Sequence, residues 1–337
     1  MVIELTDGLA RYKDEHINAL KTCLSNLLLG YYESNLILIA SVALCRFIRE
    51  RNLVEGQRQL SALNYLQSRN NYIPNVLFRY KVVLDQPVIT EHELSIDFFK
   101  TTESVQPASF LCENIDDIRF YIKQARCFNP DCEMAFLNQQ GGGDTTYDVF
   151  KILKRRKIFC LVIIDSDIRY PDCPLGRTAA RFKENYDNDL ANIVVKILPV
   201  HEAENLVPFS FMMSHSQSTG FTFIKKLEKR GLLSHMAYYD VKNGIIKTKT
   251  EEVAKYKEYA KKLYEIVYPH NRYGFDAYYA HKQNADNLFP KINNNLLSEF
   301  IANNSNIYKG DEFDIYRKEI ADLVYTFTCC REKEPIL

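Results

Sequence analysis

Ile158-Phe159-Cys160-Leu161-Val162-Ile163-Ile164-Asp165-Ser166-Asp167 decides how this chain reads, because an unbroken apolar run ends in two carboxylates. A strand without polar alternation is buried on both faces, the state of a strand inside a parallel sheet covered by helices. The surrounding sequence fits that state. Residues 109–112, 134–137 and 192–198 are further short apolar runs, and residues 116–126 and 145–154 carry helical spacing between them. Such alternation is the signature of βα units. An α/β domain with a parallel sheet is expected over residues 105–215, with helices on its faces.

Outside this domain the pattern changes. In residues 1–100 apolar side chains recur at helical spacing: Leu20, Cys23, Leu24, Leu27 and Leu28 form one stripe, and Leu36, Ile39, Ala40, Ala43 and Leu44 another. No proline precedes Pro74, which suits long helices, so a helical N-terminal region is expected. Residues 74–107 read as irregular around Pro74, Pro87 and Pro107, with a possible strand at 77–84. Residues 216–337 read as mainly helical and rich in Lys and Asn.

The chain has 337 residues, 46% hydrophobic and 26% charged, an ordinary globular balance. Lys plus Arg and Asp plus Glu both number 43, which excludes a globally basic nucleic-acid binder but not a local basic patch. The most apolar stretch, residues 36–45, is well short of the roughly 20 residues a membrane span needs. Met1-Val2-Ile3-Glu4 shows no basic segment leading into an apolar one, so no secretory signal and no membrane association are expected. The nine cysteines include no Cys-x-x-Cys pair, which suits a reducing, cytoplasmic setting. Arg11 and His16 have the Arg-x4-His spacing of HEPN ribonucleases, but a two-residue pattern arises easily by chance.

The chemistry gathers where the strands end. In an open parallel sheet the ligand crevice lies outside the carboxyl ends of the strands. The first run ends at Glu113, the second in Gly141-Gly142-Gly143-Asp144, the third at Asp165-Ser166-Asp167, and the fourth at His201-Glu202-Ala203-Glu204-Asn205. If the segment is extended, Asp165 and Asp167 face the same way. Two carboxylates presented together suit a hard cation such as Mg²⁺, with Mn²⁺ as a substitute. Singly, each motif is more often a turn, a flexible connection or a helix cap. Acids at the ends of successive strands would repel one another in a shared crevice unless a cation lay between them.

A strand ending in Glu, a second βα unit and a strand ending in Asp-x-Asp resemble the Toprim domain of topoisomerases, primases and OLD-family nucleases. The carriers are Phe110-Leu111-Cys112-Glu113-Asn114-Ile115-Asp116-Asp117 and Leu161-Val162-Ile163-Ile164-Asp165-Ser166-Asp167. The triple glycine and the His-Glu-x-Glu-Asn segment resemble additions found in Toprim-like nucleases of bacterial anti-phage defence. Two positions depart from the pattern: Asn114 stands where Gly usually follows the motif Glu, and Arg169 where a small residue is common. The resemblance implies a Mg²⁺-dependent endonuclease of antiviral defence, hydrolysing phosphodiester bonds in DNA or RNA. It makes Glu113, Asp165 and Asp167 catalytic and metal-binding, with Glu202 and Glu204 as further candidate metal ligands. Asp117, Gly141, Gly142, Gly143, Asp144 and His201 would support them.

A nuclease must also hold a polyanion. Between residues 223 and 265 eleven lysines and arginines stand against six acids, and Lys225, Lys226, Lys229 and Arg230 are the candidate nucleic-acid contacts. Tyr238, Tyr239, Tyr256 and Tyr259 are candidates for stacking on bases. An ATPase partner and a homo-oligomer are expected by the same resemblance. Two other readings stay open: a haloacid-dehalogenase-like phosphatase using Asp165 and Asp167, and a non-catalytic docking subunit.

Overall fold

The computed structural model describes residues 1–13, 17–68, 74–84, 86–186, 189–283, 286–303 and 310–332. His16 lies outside the described residues. The chain forms two compact units that cut across the three stretches read from sequence. The first comprises Met1–Ile163, Phe182–Lys196 and Lys318–Leu337, and the second Ile164–Arg181 and Ile197–Arg317.

The first unit holds two parallel sheets. In one, β1 (Val2–Leu5), β2 (Ile37–Ala40), β3 (Tyr80–Val83) and β4 (Glu93–Ser95) lie in the order β2-β1-β3-β4, each pair parallel. Residues 1–100 are therefore α/β, not the helical region expected. The helix α1 (Ile17–Tyr32) does bury the stripe Leu20, Cys23, Leu24, Leu27 and Leu28. The second expected stripe is divided between β2 and α2 (Val42–Glu50), which α3 (Gln57–Ser68) follows, and Ser41 makes the break by accepting the Leu44 N–H at 3.0 Å as the helix cap. A short apolar run has no period by which strand and helix can be told apart, and burial against β1 decides the matter.

The second sheet is the one that positions the candidate site. It contains β5 (Ala108–Cys112), β7 (Phe136–Gln140), β8 (Cys160–Ile164) and β9 (Ile193–Ile197), in the order β7-β5-β8-β9. The strand β5 is parallel to both neighbours, with Leu111 opposite Val162 of β8 and Gln139 of β7. Every residue of β5 and β8 is buried, while β7 at the edge is partly exposed. The expected run at 134–137 is split: β6 (Cys132–Met134) leaves this sheet to pair antiparallel with Cys329–Glu332. The crossovers α4 (Ile115–Phe128) and α5 (Thr146–Lys154) follow β5 and β7. Phe110, Phe120, Phe150, Phe159 and Phe182 are each 1% exposed or less, and such burial contributes about 1.5–3 kcal/mol per side chain.

The second unit starts where β8 ends. Its main helices are Phe209–His215, Ser218–Glu228, Ala254–Val267, Gly274–His281 and Leu296–Ala302, with a short antiparallel pairing of Ile245–Ile246 with Asn287–Phe289. Among the described residues no helix is long and apolar enough to cross a membrane. All nine cysteines are free thiols.

Candidate functional site

The acid pair lies just past the end of β8, in an irregular segment and not on the strand itself. Asp165 is half-buried, Ser166 fully buried and Asp167 exposed, and Asp167 has φ 55°, in the left-handed region that Asp tolerates better than most residues. The left-handed backbone at Asp167 breaks the strand alternation that would have turned the two carboxylates the same way. Three hydrogen bonds hold the segment. The Ser166 hydroxyl donates to Val200 O at 2.5 Å, the Asp167 N–H to His201 O at 2.9 Å, and the Gly176 N–H to Ser166 O at 2.8 Å. A Cβ at residue 176 would lie 2.2 Å from Asp167 Oδ2 and 2.4 Å from its Cβ, so only glycine lets Asp167 sit there. Gly176→Ala is expected to displace Asp167 and destabilise the protein by about 1–3 kcal/mol, measured by urea unfolding. Unchanged stability would show that the segment relaxes freely.

The segment after β9 is stitched to residues 236–240 of the same unit. The His201 N–H donates to Ala237 O at 2.7 Å. Asn205 is fully buried; its amide donates to Met236 O and Tyr239 O, both at 2.7 Å, and its Oδ1 accepts the Glu202 N–H at 2.8 Å. This stitching brings Asp240 to His201 and Glu202. Their ligand atoms all lie within 4.8 Å of one another, the one such group of His, Cys, Asp and Glu among the described residues. His201 is 3% exposed, and among the described residues its Nδ1 is without a partner, as is the buried Oε1 of Glu202. Glu204 stands outside this group. It pairs with Lys242 at 2.7 Å, and the same ammonium reaches Glu202 Oε2 at 3.1 Å.

Electrostatics follow from this burial. Desolvation, then the neighbouring Glu204, push the Glu202 carboxyl up to about 8, against the pull of Lys242. Burial lowers His201 below the usual histidine value, opposed by Asp240 and Asp167. Burial also disfavours the Lys242 charge, but Glu202 and Glu204 outweigh it and hold the ammonium above its ordinary range.

A pH effect should result. Between the ordinary glutamate value of 4.5 and about 8, folded Glu202 keeps a proton that the unfolded chain has lost. Stability attributable to this group therefore falls as pH rises through that window. Glu202→Gln cannot ionise, so its melting temperature relative to the parent should climb from pH 5 to pH 9. A difference that declines over the same range would contradict this assignment.

Glu113 belongs to the first unit and directly follows β5, where it is half-buried. Gly141 and Gly142 extend the β5–β7 ladder past the strand ends, their N–H groups donating to Cys112 O at 2.9 Å and Glu113 O at 2.8 Å. Gly142 has φ 73°, which releases the chain into the turn Gly143–Thr145 that contains Asp144. Asn114 is extended, not left-handed, and its Oδ1 caps α4 by accepting the N–H groups of Asp116 and Asp117 at 2.8 and 3.1 Å. The Asp117 carboxylate returns the bond from the Asn114 N–H at 3.1 Å, so this capping box aims the turn after Glu113.

The basic candidates lie on or just beyond the helix Ser218–Glu228. Lys225 rests over the Phe221 ring and Lys226 over Tyr268, while the Arg230 guanidinium donates to Ile266 O. Tyr239, Tyr256 and Tyr259 are core residues, 1–6% exposed, so they are not the stacking surface expected. Asp240 and Lys242 had no motif by which sequence alone could find them; they matter because Asn205 anchors their segment. Comparison with protein-family models, with curated proteins and with solved structures finds no match to this chain.

Proposed function

We propose that this protein is a divalent-cation-dependent nuclease with a Toprim-like α/β domain, the effector of an antiviral defence system. The observation that carries this reading is the Asp167 N–H···O=C His201 bond, which ties the acid pair to the turn bearing His201 and Glu202. Asp165 and Asp167 would hold Mg²⁺, an oxygen-seeking cation. His201 Nδ1 and Glu202 Oε1, unpartnered among the described residues, form with Asp240 a mixed nitrogen and oxygen donor set that suits a transition-metal cation better than Mg²⁺. A bound cation would neutralise charge developing on the phosphoryl oxygens. The resemblance gives Glu113 the role of general acid/base.

Arg169 supports a phosphate substrate. Its charge is felt by His201 and Tyr256, and its buried Nε has no partner among the described residues. A guanidinium with an unused donor beside an acid pair is suited to a phosphate oxygen. Recognition of the strand falls to the lysines near the helix Ser218–Glu228, and an ATPase partner or a second copy would supply regulation. The test is incubation with plasmid, single-stranded DNA and total RNA, each with Mg²⁺, Mn²⁺ or chelator. Cleavage is expected only with a divalent ion. Equal cleavage in chelator, or none under any condition, would overturn the proposal.

A further inference from the structure

A cavity of about 470 Å³ in the second unit, well apart in sequence from the acid pair, is lined by Lys226, Lys282, Tyr268, Tyr278, Thr219 and Asn287 among others. That volume is within the range of small-molecule sites, roughly 300–1,000 Å³. Its charge is one-sided. No carboxylate lines it, and neither ammonium is paired with an acid among the described residues. Asp286, whose charge is felt at Tyr278, is not part of the lining, and its Oδ2 accepts the Gln283 N–H at 2.9 Å. A lining whose charged groups are both cationic favours an anionic ligand.

The aromatic walls are held in place. Tyr278 stacks on Tyr264 with ring centroids 4.7 Å apart, and its hydroxyl donates to Leu288 O at 2.6 Å. The Lys226 ammonium lies 4.2 Å above the Tyr268 ring, and that of Lys282 lies 5.5 Å above Tyr278. Such cation–π contacts hold the charges close to the aromatic faces. A ligand matching this wall has an anionic group for the two ammoniums and a flat ring for the tyrosines. We infer that this cavity is a nucleotide site, with the phosphate at Lys226 and Lys282 and the base against Tyr268 or Tyr278. The nucleotide is either free or one residue of a single strand, because both present the same phosphate and base.

Binding is measured by calorimetry on the full chain in chelator, so that it does not depend on the nuclease reading. Four probes are used: AMP, adenosine, inorganic phosphate, and a short single-stranded oligonucleotide. AMP should bind saturably and at least tenfold more tightly than adenosine or phosphate. Lys226→Ala and Lys282→Ala should each weaken AMP about tenfold, the value of one charge-assisted hydrogen bond. An oligonucleotide that displaces AMP and binds more tightly identifies a strand site; one that fails to displace it identifies a free-nucleotide site. The inference is overturned if neither AMP nor the oligonucleotide binds, if adenosine or phosphate alone matches AMP, or if both lysine variants bind AMP as the parent does.

Discussion

Asp165→Asn is expected to lower divalent-ion-dependent cleavage of nucleic acid by about 10²-fold or more while leaving the melting temperature nearly unchanged. Asn keeps the shape of the side chain but removes the charge that a cation needs. Asn keeps an acceptor oxygen at this position, and the bond of the Ser166 hydroxyl to Val200 O, which fastens the segment, is untouched by the change. The fold should therefore survive. Glu113→Gln should lose activity to a similar degree, and this second variant discriminates between functions. A haloacid-dehalogenase-like phosphatase would lose phosphomonoester hydrolysis with Asp165→Asn and keep it with Glu113→Gln. A docking subunit would show no catalytic signal in the parent and unchanged partner binding in both variants. Cleavage by Asp165→Asn at the parental rate, with contaminating nuclease excluded, removes the nuclease assignment.

Arg317→Met should cost about 3–5 kcal/mol of stability, read from urea unfolding with an unchanged slope. Arg317 is 2% exposed and is the largest fully buried side chain. Its guanidinium pairs with Asp311 and, at 2.6 Å, with Asp314, and it donates to Leu206 O at 3.3 Å. Methionine fills much of the space but leaves the Asp311 carboxylate, 10% exposed, without its cation. The cost comes from that stranded charge, because a buried ion pair contributes little over an apolar pair but is expensive to break. Arg317→Lys should fall between the two, since an ammonium keeps the charge but cannot serve both carboxylates and a carbonyl in the same planar geometry. Leu206 closes the short helical turn Ala203–Leu206 after Glu202, so the loss should also loosen the His201 segment. A change below 1 kcal/mol would show that water replaces the guanidinium without penalty.

What could be read from the sequence was local. The apolar run through Ile164 specified a strand buried on both faces, because no polar alternation was available for an exposed face. The Leu20–Leu28 stripe specified a helix for the same kind of reason, a period that only one backbone geometry satisfies. That Glu113 directly follows β5 and Asp165 directly follows β8 was legible too, because each pairing concerns residues adjacent in the chain. Ile37–Ala40 was ambiguous because its run is shorter than the period that would classify it; pairing with β1 made it a strand.

Everything that required two distant segments was decided by tertiary structure. Gly176 reads as an ordinary loop glycine until its α-carbon is found against the Asp167 side chain. Asp240 belongs with His201 and Glu202 only because Asn205 bonds the backbone at Met236 and Tyr239. Glu204 looks equivalent to Glu202 in the sequence, yet Lys242 neutralises it and leaves Glu202 with an unused oxygen. Tyr239, Tyr256 and Tyr259 could be surface or core by composition, and packing put them in the core. The physical reason is the same in each case. Periodicity reports how a segment divides between water and protein, whereas a side chain's partners are set by loop closures and close packing across tens of residues, which no local pattern encodes.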